Sequence, residues 1–542
     1  MIRHRAARGT RFFFSLALAA FAGPESLPSV HAQAVPNAVS MTPARQAALD
    51  TITANSLQGH LSFLASDLLE GRDSPSRGLD IAAEYIAAQF RRAGLQPAGT
   101  EGFFQVARWK VLEPDTARFH LEFKLGLTGY PVALDRVRAT ASGPVEIQGS
   151  PLTRLGSLDE AAEQAKNHAQ TEGRCFVVEA PAANPEEPGA ARRLMEAVSK
   201  AATTLGEARA AALVILDRRE PGAGMGLPHG RLIDPENPGP RPANNNPPRR
   251  MPVLTVQDPA VIDALVQAQS LENSSLTLSI GAPIERPATL RNVAGVLPGS
   301  DPVLKNEYVI VSAHYDHIGV TAAANTLDHV FNGANDDASG TTMVVELASA
   351  LSRLEPRPKR SILFLTFFGE EKGLLGSRYY GRHPLVPLKD TAAMINLEQV
   401  GRTDDSEGPS LKRASMTGFD FSEVGTVLER AGQAVGVEVV KHPKNSDLFF
   451  GRSDNQSLAD SGVPAHTLCT AFMFPDYHQE GDHWDRIDYA NMARVGQAIG
   501  LGVLELADAA NRPLWNEANP KTERYVKAWK TLHGQAPDTV KP

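Results

Sequence analysis

The chain is expected to be an α/β protein built on a mostly parallel sheet covered by helices, with a smaller α/β domain inserted. Three observations lead there. From Asn292 to Ala507 short apolar runs alternate with helical patterns, the signature of a doubly wound sheet. The runs Val309–Ala313, Ile362–Phe368 and Ala392–Leu397 are almost wholly apolar, as strands buried on both faces must be. A stretch of different character, 115–285, interrupts the pattern.

Taken in order, the chain opens with Arg3, Arg5, Arg8 and Arg11 ahead of the apolar run Phe12–Ala22. Ala32-Gln33-Ala34 follows as a small-residue cleavage site. That layout is a secretory signal over residues 1–34, and the run is too short for a permanent span. Export to a periplasm or the medium, with no membrane anchor after cleavage, is expected. From Thr42 to Gly99 the segments LQGHLSFLASDLLEG and IAAEYIAAQFRRAGL space their apolar residues for helices. Gly94 closes the second as a cap. These helices, in residues 35–114, form the first part of the main domain.

Alternating segments such as FHLEFKLGL open the insert. Within it, Leu158–Ala169 and Arg192–Leu205 read as helical, and CFVVEA, AALVILD and MPVLTV as strands. Pro221–Pro252, rich in Gly, Pro and Asn, reads as an exposed loop. The main domain resumes over 286–510. There the helix Thr341–Leu354 turns Val344, Val345, Leu347, Ala348 and Leu351 inward. Residues 511–542 are polar, poorly patterned and expected to be a tail.

Length and composition set broad limits. A chain of 542 residues exceeds a single core. Its 54 basic and 62 acidic residues give a net charge of −8, with no basic footprint for nucleic acid. Cys175 and Cys469 are the two cysteines. A disulfide between them is not expected, and the paired-cysteine zinc motif is missing. Oligomeric state is not legible.

The chemistry-bearing residues sit where the apolar runs stop. In an open α/β sheet the strand carboxyl ends form the ligand crevice. His314 and Asp316 are two apart on an extended segment and share a face. His314 can ligate a metal and Asp316 can orient its imidazole. Taken alone, they read equally as a solvated pair. Asp336 and Asp337 lie in the glycine-flanked loop GANDDASG opening a helix, where acids also serve as caps. Glu370 and Glu371 follow an apolar strand. There one carboxylate can relieve repulsion by binding a cation while the other, its pKa raised, serves as general base; the pair reads also as plain helix N-terminal acids. Glu398 ends a further run, and His478 lies in the loop FPDYHQEGDHW. One His and one further carboxylate per metal, with an Asp between, suit two zinc sites sharing a water.

The ordered set HYD, GANDDASG, GEEKGLLGS, INLEQVG and DYHQEGDHWDRIDY resembles the co-catalytic dizinc exopeptidases, the family of bacterial leucyl aminopeptidases and glutamate carboxypeptidase II. The motifs span roughly residues 290–490. The resemblance implies two Zn2+ per chain. His314 would be a ligand of one metal, Asp336 the bridge, and Glu371 a ligand of the second. Glu398 and His478 would complete the set. It also makes Glu370 the general base, Asp316 the carboxylate orienting His314, and Tyr477 a hydrogen-bond donor to the tetrahedral oxyanion. The implied substrate is a peptide and the expected activity an aminopeptidase. The alternative is a carboxypeptidase of the glutamate carboxypeptidase type. A single-zinc glutaminyl cyclase and a non-catalytic receptor-like protein rank lower. The insert resembles the protease-associated domain of this family. Two departures stand out. Glu398 falls where many relatives carry Asp. Asn455 in RSDNQSLADSGVPAH falls where Ser-Asp-His is common.

Overall fold

Four parallel strands form the centre of the larger sheet, in the spatial order Ala465–Cys469, Thr391–Leu397, Tyr308–His314, Ser361–Phe367. This computed structural model describes residues 39–141, 143–180, 190–219, 226–227, 230–237, 251–320 and 328–535. The expected signal segment 1–34 and much of the Pro221–Pro252 loop lie outside them. Ile284–Leu297 joins antiparallel beside Ser361–Phe367, and Phe104–Glu113 pairs with it in turn. At the opposite edge Arg413–Met416 pairs antiparallel with Ala465–Cys469 and parallel with Glu438–Val440. The ten-stranded sheet is therefore mixed, with a parallel centre.

Strand alternation explains why the central runs are apolar throughout. Val309, Val311 and Ala313 enter one core, together with Ile362, Phe364, Ile395 and Leu397. Ile310, Leu363, Leu365, Phe367 and Met394 enter the core on the other face. Successive side chains point to opposite faces, so a strand buried on both sides has no polar position to spare. Each buried Leu, Ile or Phe contributes roughly 1.5–3 kcal/mol.

The helices of the first core follow their sequence signals. Thr53 caps Ala54–Leu64 and Ser76 caps Arg77–Arg92, each through its side-chain oxygen. Ala93 is the C-cap of the second, and Gly94 follows at φ +76°. The helix after GANDDASG runs Ser339–Leu351, and its expected inward residues are all buried.

The chain leaves the main sheet after Glu113 and returns at Ile284, and these two residues are register partners. Between them lies an eight-stranded sheet with its own cores. It contains the three expected strands as Cys175–Glu179, Ala212–Leu216 and Val253–Val256. Arg231–Ile233, from within this stretch, crosses back to pair with Phe104–Glu113. A short edge strand of this kind carries no periodic signal. Residues 511–535 differ from the polar tail the sequence suggested. Trp515 and Tyr525 are buried, stack at 4.9 Å, and join the second core beside Phe450. Val526, Trp529 and Leu532 of the helix Glu523–Leu532 pack against the same core, so an apolar helix face docks the segment. Among the described residues no helix is long and apolar enough to cross a membrane.

Candidate metal centre

His314 closes its strand fully buried, with its carbonyl accepting from Thr341 Oγ1 at 2.6 Å. Its Nε2 lies 3.3 Å from Asp336 Oδ1. The other oxygen of Asp336 lies 3.1 Å from His478 Nε2. One carboxylate therefore faces two imidazoles, one through each oxygen. His478 Nε2 is also 3.3 Å from Glu371 Oε2. Glu398, at the end of Thr391–Leu397, brings a carboxylate oxygen into a group with His314 and Asp336, all ligand atoms within 4.8 Å of one another.

The loop that presents Asp336 is built by backbone contacts. Gly333 takes φ +56°, a left-handed conformation suited to glycine. The Asp482 carboxylate accepts the backbone N–H groups of Asn335 and Asp336 at 3.0 and 3.1 Å. Asp337, which follows Asp336, has its Oδ1 accept from the Gly340 and Gln399 backbone N–H groups at 2.9 and 3.2 Å. It thus ties the Asp336 loop to the turn after Glu398. Asp316 Oδ1 accepts the Glu370 backbone N–H at 3.0 Å and stands 3.6 Å from His314 Nδ1. The nearer partner of that nitrogen is the Asp316 carbonyl, at 3.2 Å. The Tyr477 ring stacks on His478 with centroids 4.0 Å apart.

The two adjacent glutamates are driven apart in acidity. Burial, with Glu398, Asp454 and Glu371 nearby and His314 opposing, holds Glu370 well above the usual carboxylate range. Burial and Asp336 also act against ionisation of Glu371, yet His317 and His478 beside it bring it down to about 2. Such divergence between neighbouring carboxyls marks separate chemical roles. Burial and surrounding carboxylates push the Tyr477 hydroxyl well above its usual range, so it remains a donor.

His314, Asp316, Asp336, Glu370, Glu371, Glu398, Tyr477 and His478 come together in this crevice or against it, while Asn455 donates to Phe450 O and accepts from Thr467 Oγ1. Three others were not foreseen. Fully buried His317 lies 2.8 Å through Nδ1 from Glu371 Oε1. Asp482 holds the Asp336 loop. Asp454, wholly buried and near enough to disfavour the charged form of Glu370, has no hydrogen-bond partner on either oxygen. His317 and Asp482 stand inside HYDHIG and DYHQEGDHW, but both lie past regular elements, where periodicity says nothing about direction.

The donor set suits a divalent cation. His314 Nε2, His478 Nε2 and Glu371 Oε1 are buried without hydrogen-bond partners. Gathering this many carboxylates away from water is costly unless a positive charge compensates.

The fold and this crevice define an α/β protein that gathers His and carboxylate side chains at the carboxyl ends of its parallel strands. Residues 292–502 match Peptidase family M28. The chain is 34% identical over 203 residues to a probable zinc metalloprotease of Pyrenophora tritici-repentis, covering 36% of this chain and 43% of the relative. It is 26% identical over 231 residues to aminopeptidase YwaD of Bacillus subtilis, covering 42% and 46%. The chain thus spans under half the length of these curated relatives. In three dimensions it shares the fold of a zinc aminopeptidase from Bacillus subtilis, with TM-score 0.54, 20% identity, and 88% and 99% of the two chains covered. The same holds for an aminopeptidase from Aneurinibacillus sp. strain AM-1, with TM-score 0.53, 18% identity, and 86% and 97% covered. Two of these relatives are described as zinc enzymes, and the buried, unpartnered His and carboxylate atoms here fit that metal.

Proposed function

We propose that the chain is an exported zinc-dependent exopeptidase, most simply an aminopeptidase, that hydrolyses peptide bonds with Glu370 as general base. The observation that carries this is the Asp336 carboxylate, flanked by His314 on one oxygen and His478 on the other. His314 and Glu398 would hold one zinc, Glu371 and His478 the other, and Asp336 both. Two zincs there would polarise the scissile carbonyl and acidify a water toward neutral pH.

The chain's own residues supply the rest. Glu370, beside this set but not in it, takes the proton of the attacking water and returns it to the leaving amine. Asp316 steadies that turn by accepting the Glu370 N–H. The Tyr477 hydroxyl donates to the oxyanion as it develops. Beside Glu398 opens a small cavity of about 30 Å³ that includes Phe449, Phe472, Cys469 and Arg452. Its aromatic rings, 5.1 Å apart, give it an apolar wall that the substrate can meet.

A carboxypeptidase is the second reading, favoured by one feature. Arg452 stacks 4.5 Å over Phe449 at this cavity, a cation able to meet a substrate carboxylate. Release of nitroaniline from aminoacyl-nitroanilides, against hydrolysis of N-acyl dipeptides, separates the two. The aminopeptidase reading expects the first activity, lost with chelator and restored by zinc. Activity on N-acyl dipeptides alone would reverse the assignment. Export rests on the leader-like residues 1–34. The protease-associated character of the insert rests on its strands and its single point of insertion.

A further inference from the structure

We infer that His317 is an additional ligand, through Nδ1, of the metal assigned above to Asp336, Glu371 and His478. The inference rests on the dizinc reading and adds a residue to it. His317 is fully buried, and one of its ring nitrogens forms a group with Asp336 and Glu371, their ligand atoms all within 4.8 Å. Its Nδ1 is 2.8 Å from Glu371 Oε1, yet neither ring nitrogen makes a directed hydrogen bond. A short, poorly directed contact between an imidazole nitrogen and a carboxylate oxygen is what two ligands of one cation present. His314 Nε2 and His478 Nε2 show the same pattern against Asp336 and Glu371.

The ring is also seated for this position. A Cβ on Gly333 would fall 2.4 Å from His317 Cγ and 2.6 Å from Cδ2. The imidazole therefore packs onto the bare glycine of the loop that carries Asp336. The backbone N–H of His317 donates to the Arg72 carbonyl at 3.3 Å. The His317 and His478 rings meet edge to face at 5.7 Å between centroids. A buried imidazole without hydrogen bonds is costly, and coordination removes that cost at Nδ1. The two half-sites then differ: one offers the imidazoles of His317 and His478, the other that of His314 alone. Since imidazole suits zinc, the His314–Glu398 half should release its metal first.

The test is titration of the chelator-stripped full chain with Co2+, read by visible absorption, with zinc affinity from chelator competition. Wild type is expected to take two equivalents. His317→Ala should weaken one equivalent by at least about tenfold and alter its absorption band, leaving the other equivalent as in wild type. His317→Asn keeps an N–H near the Nδ1 position without an imidazole and should behave like His317→Ala. Wild-type affinity and spectrum in His317→Ala would overturn the inference. So would full rescue by His317→Asn, which would make His317 a hydrogen-bonding support for Glu371. Should the variants not fold, X-ray absorption on the wild-type zinc protein decides. Three imidazoles across two zincs support the inference, and two overturn it. A wild-type chain that binds no metal would instead overturn the dizinc reading itself.

Discussion

Arg72 Nε donates to the carbonyl of Tyr315 at 2.9 Å, joining the N-terminal helical region to the strand end that carries His314. The same guanidinium donates to Asn332 O at 2.7 Å, to Gly333 O at 3.0 Å and to Leu64 O. It is fully buried, and the carboxylates Asp316, Asp482, Asp337 and Asp336 surround it. A single planar fork therefore braces two ligand-bearing loops from behind.

Replacing that fork should be severe. In Arg72→Met the four carbonyls lose their donor, and each buried unsatisfied group costs about 1–3 kcal/mol. Arg72→Lys retains the charge but not the fork. Both variants are expected to unfold at lower urea concentration, Met more than Lys. A midpoint unchanged in either would show that the brace is dispensable.

Glu370→Gln should still bind two zincs while kcat falls by about 10²–10⁴. Glu371→Gln should lose metal. Metal quantification beside steady-state kinetics checks both, and a near-wild-type rate for Glu370→Gln would remove it as the base.

Glu398→Asp withdraws the carboxylate by one methylene from the His314–Asp336 group. The surrounding backbone is fixed by the Asp337 contact to Gln399, so the loop cannot follow. Zinc affinity at that half-site is expected to drop while the other half keeps its metal. Chelator competition measures this; unchanged affinity would show that the turn after Leu397 is free to adjust.

His466, away from the crevice, should set part of the acid limb of stability. Burial lowers its pKa to about 4, against a partial rise from the Thr417 carbonyl. Its Nε2 lies 2.6 Å from Ser422 Oγ. The unfolded chain takes up this proton below its ordinary pKa near 6.5 and the folded chain does not. Stability is therefore lost as pH falls from about 6.5 toward 4, by roughly 3 kcal/mol at most. His466→Gln should flatten the melting temperature across that window. A slope equal to wild type would assign the acid sensitivity elsewhere.

The sequence was legible where a regular element dictates direction. The runs ending at Ala313, Phe368 and Leu397 placed His314, Glu370, Glu371 and Glu398 on one rim, because parallel strands bring their carboxyl ends to the same side. Trp515 stands alone in a polar stretch, and Tyr525, Val526, Trp529 and Leu532, though at helical spacing, make too short a run to stand out. The edge strand Arg231–Ile233 was missed for the same reason.

By itself, then, the sequence determined the strand–helix order and the residue types gathered at the strand ends, through local patterns read along the chain. Only the tertiary structure decided which atoms meet. The Asp336 carboxylate turns one oxygen to His314 and the other to His478, 142 residues further on. His317 reaches Glu371 although no repeat relates them. Contacts of that kind arise from loop closure and from packing on Gly333 and Arg72, both of which depend on the whole fold.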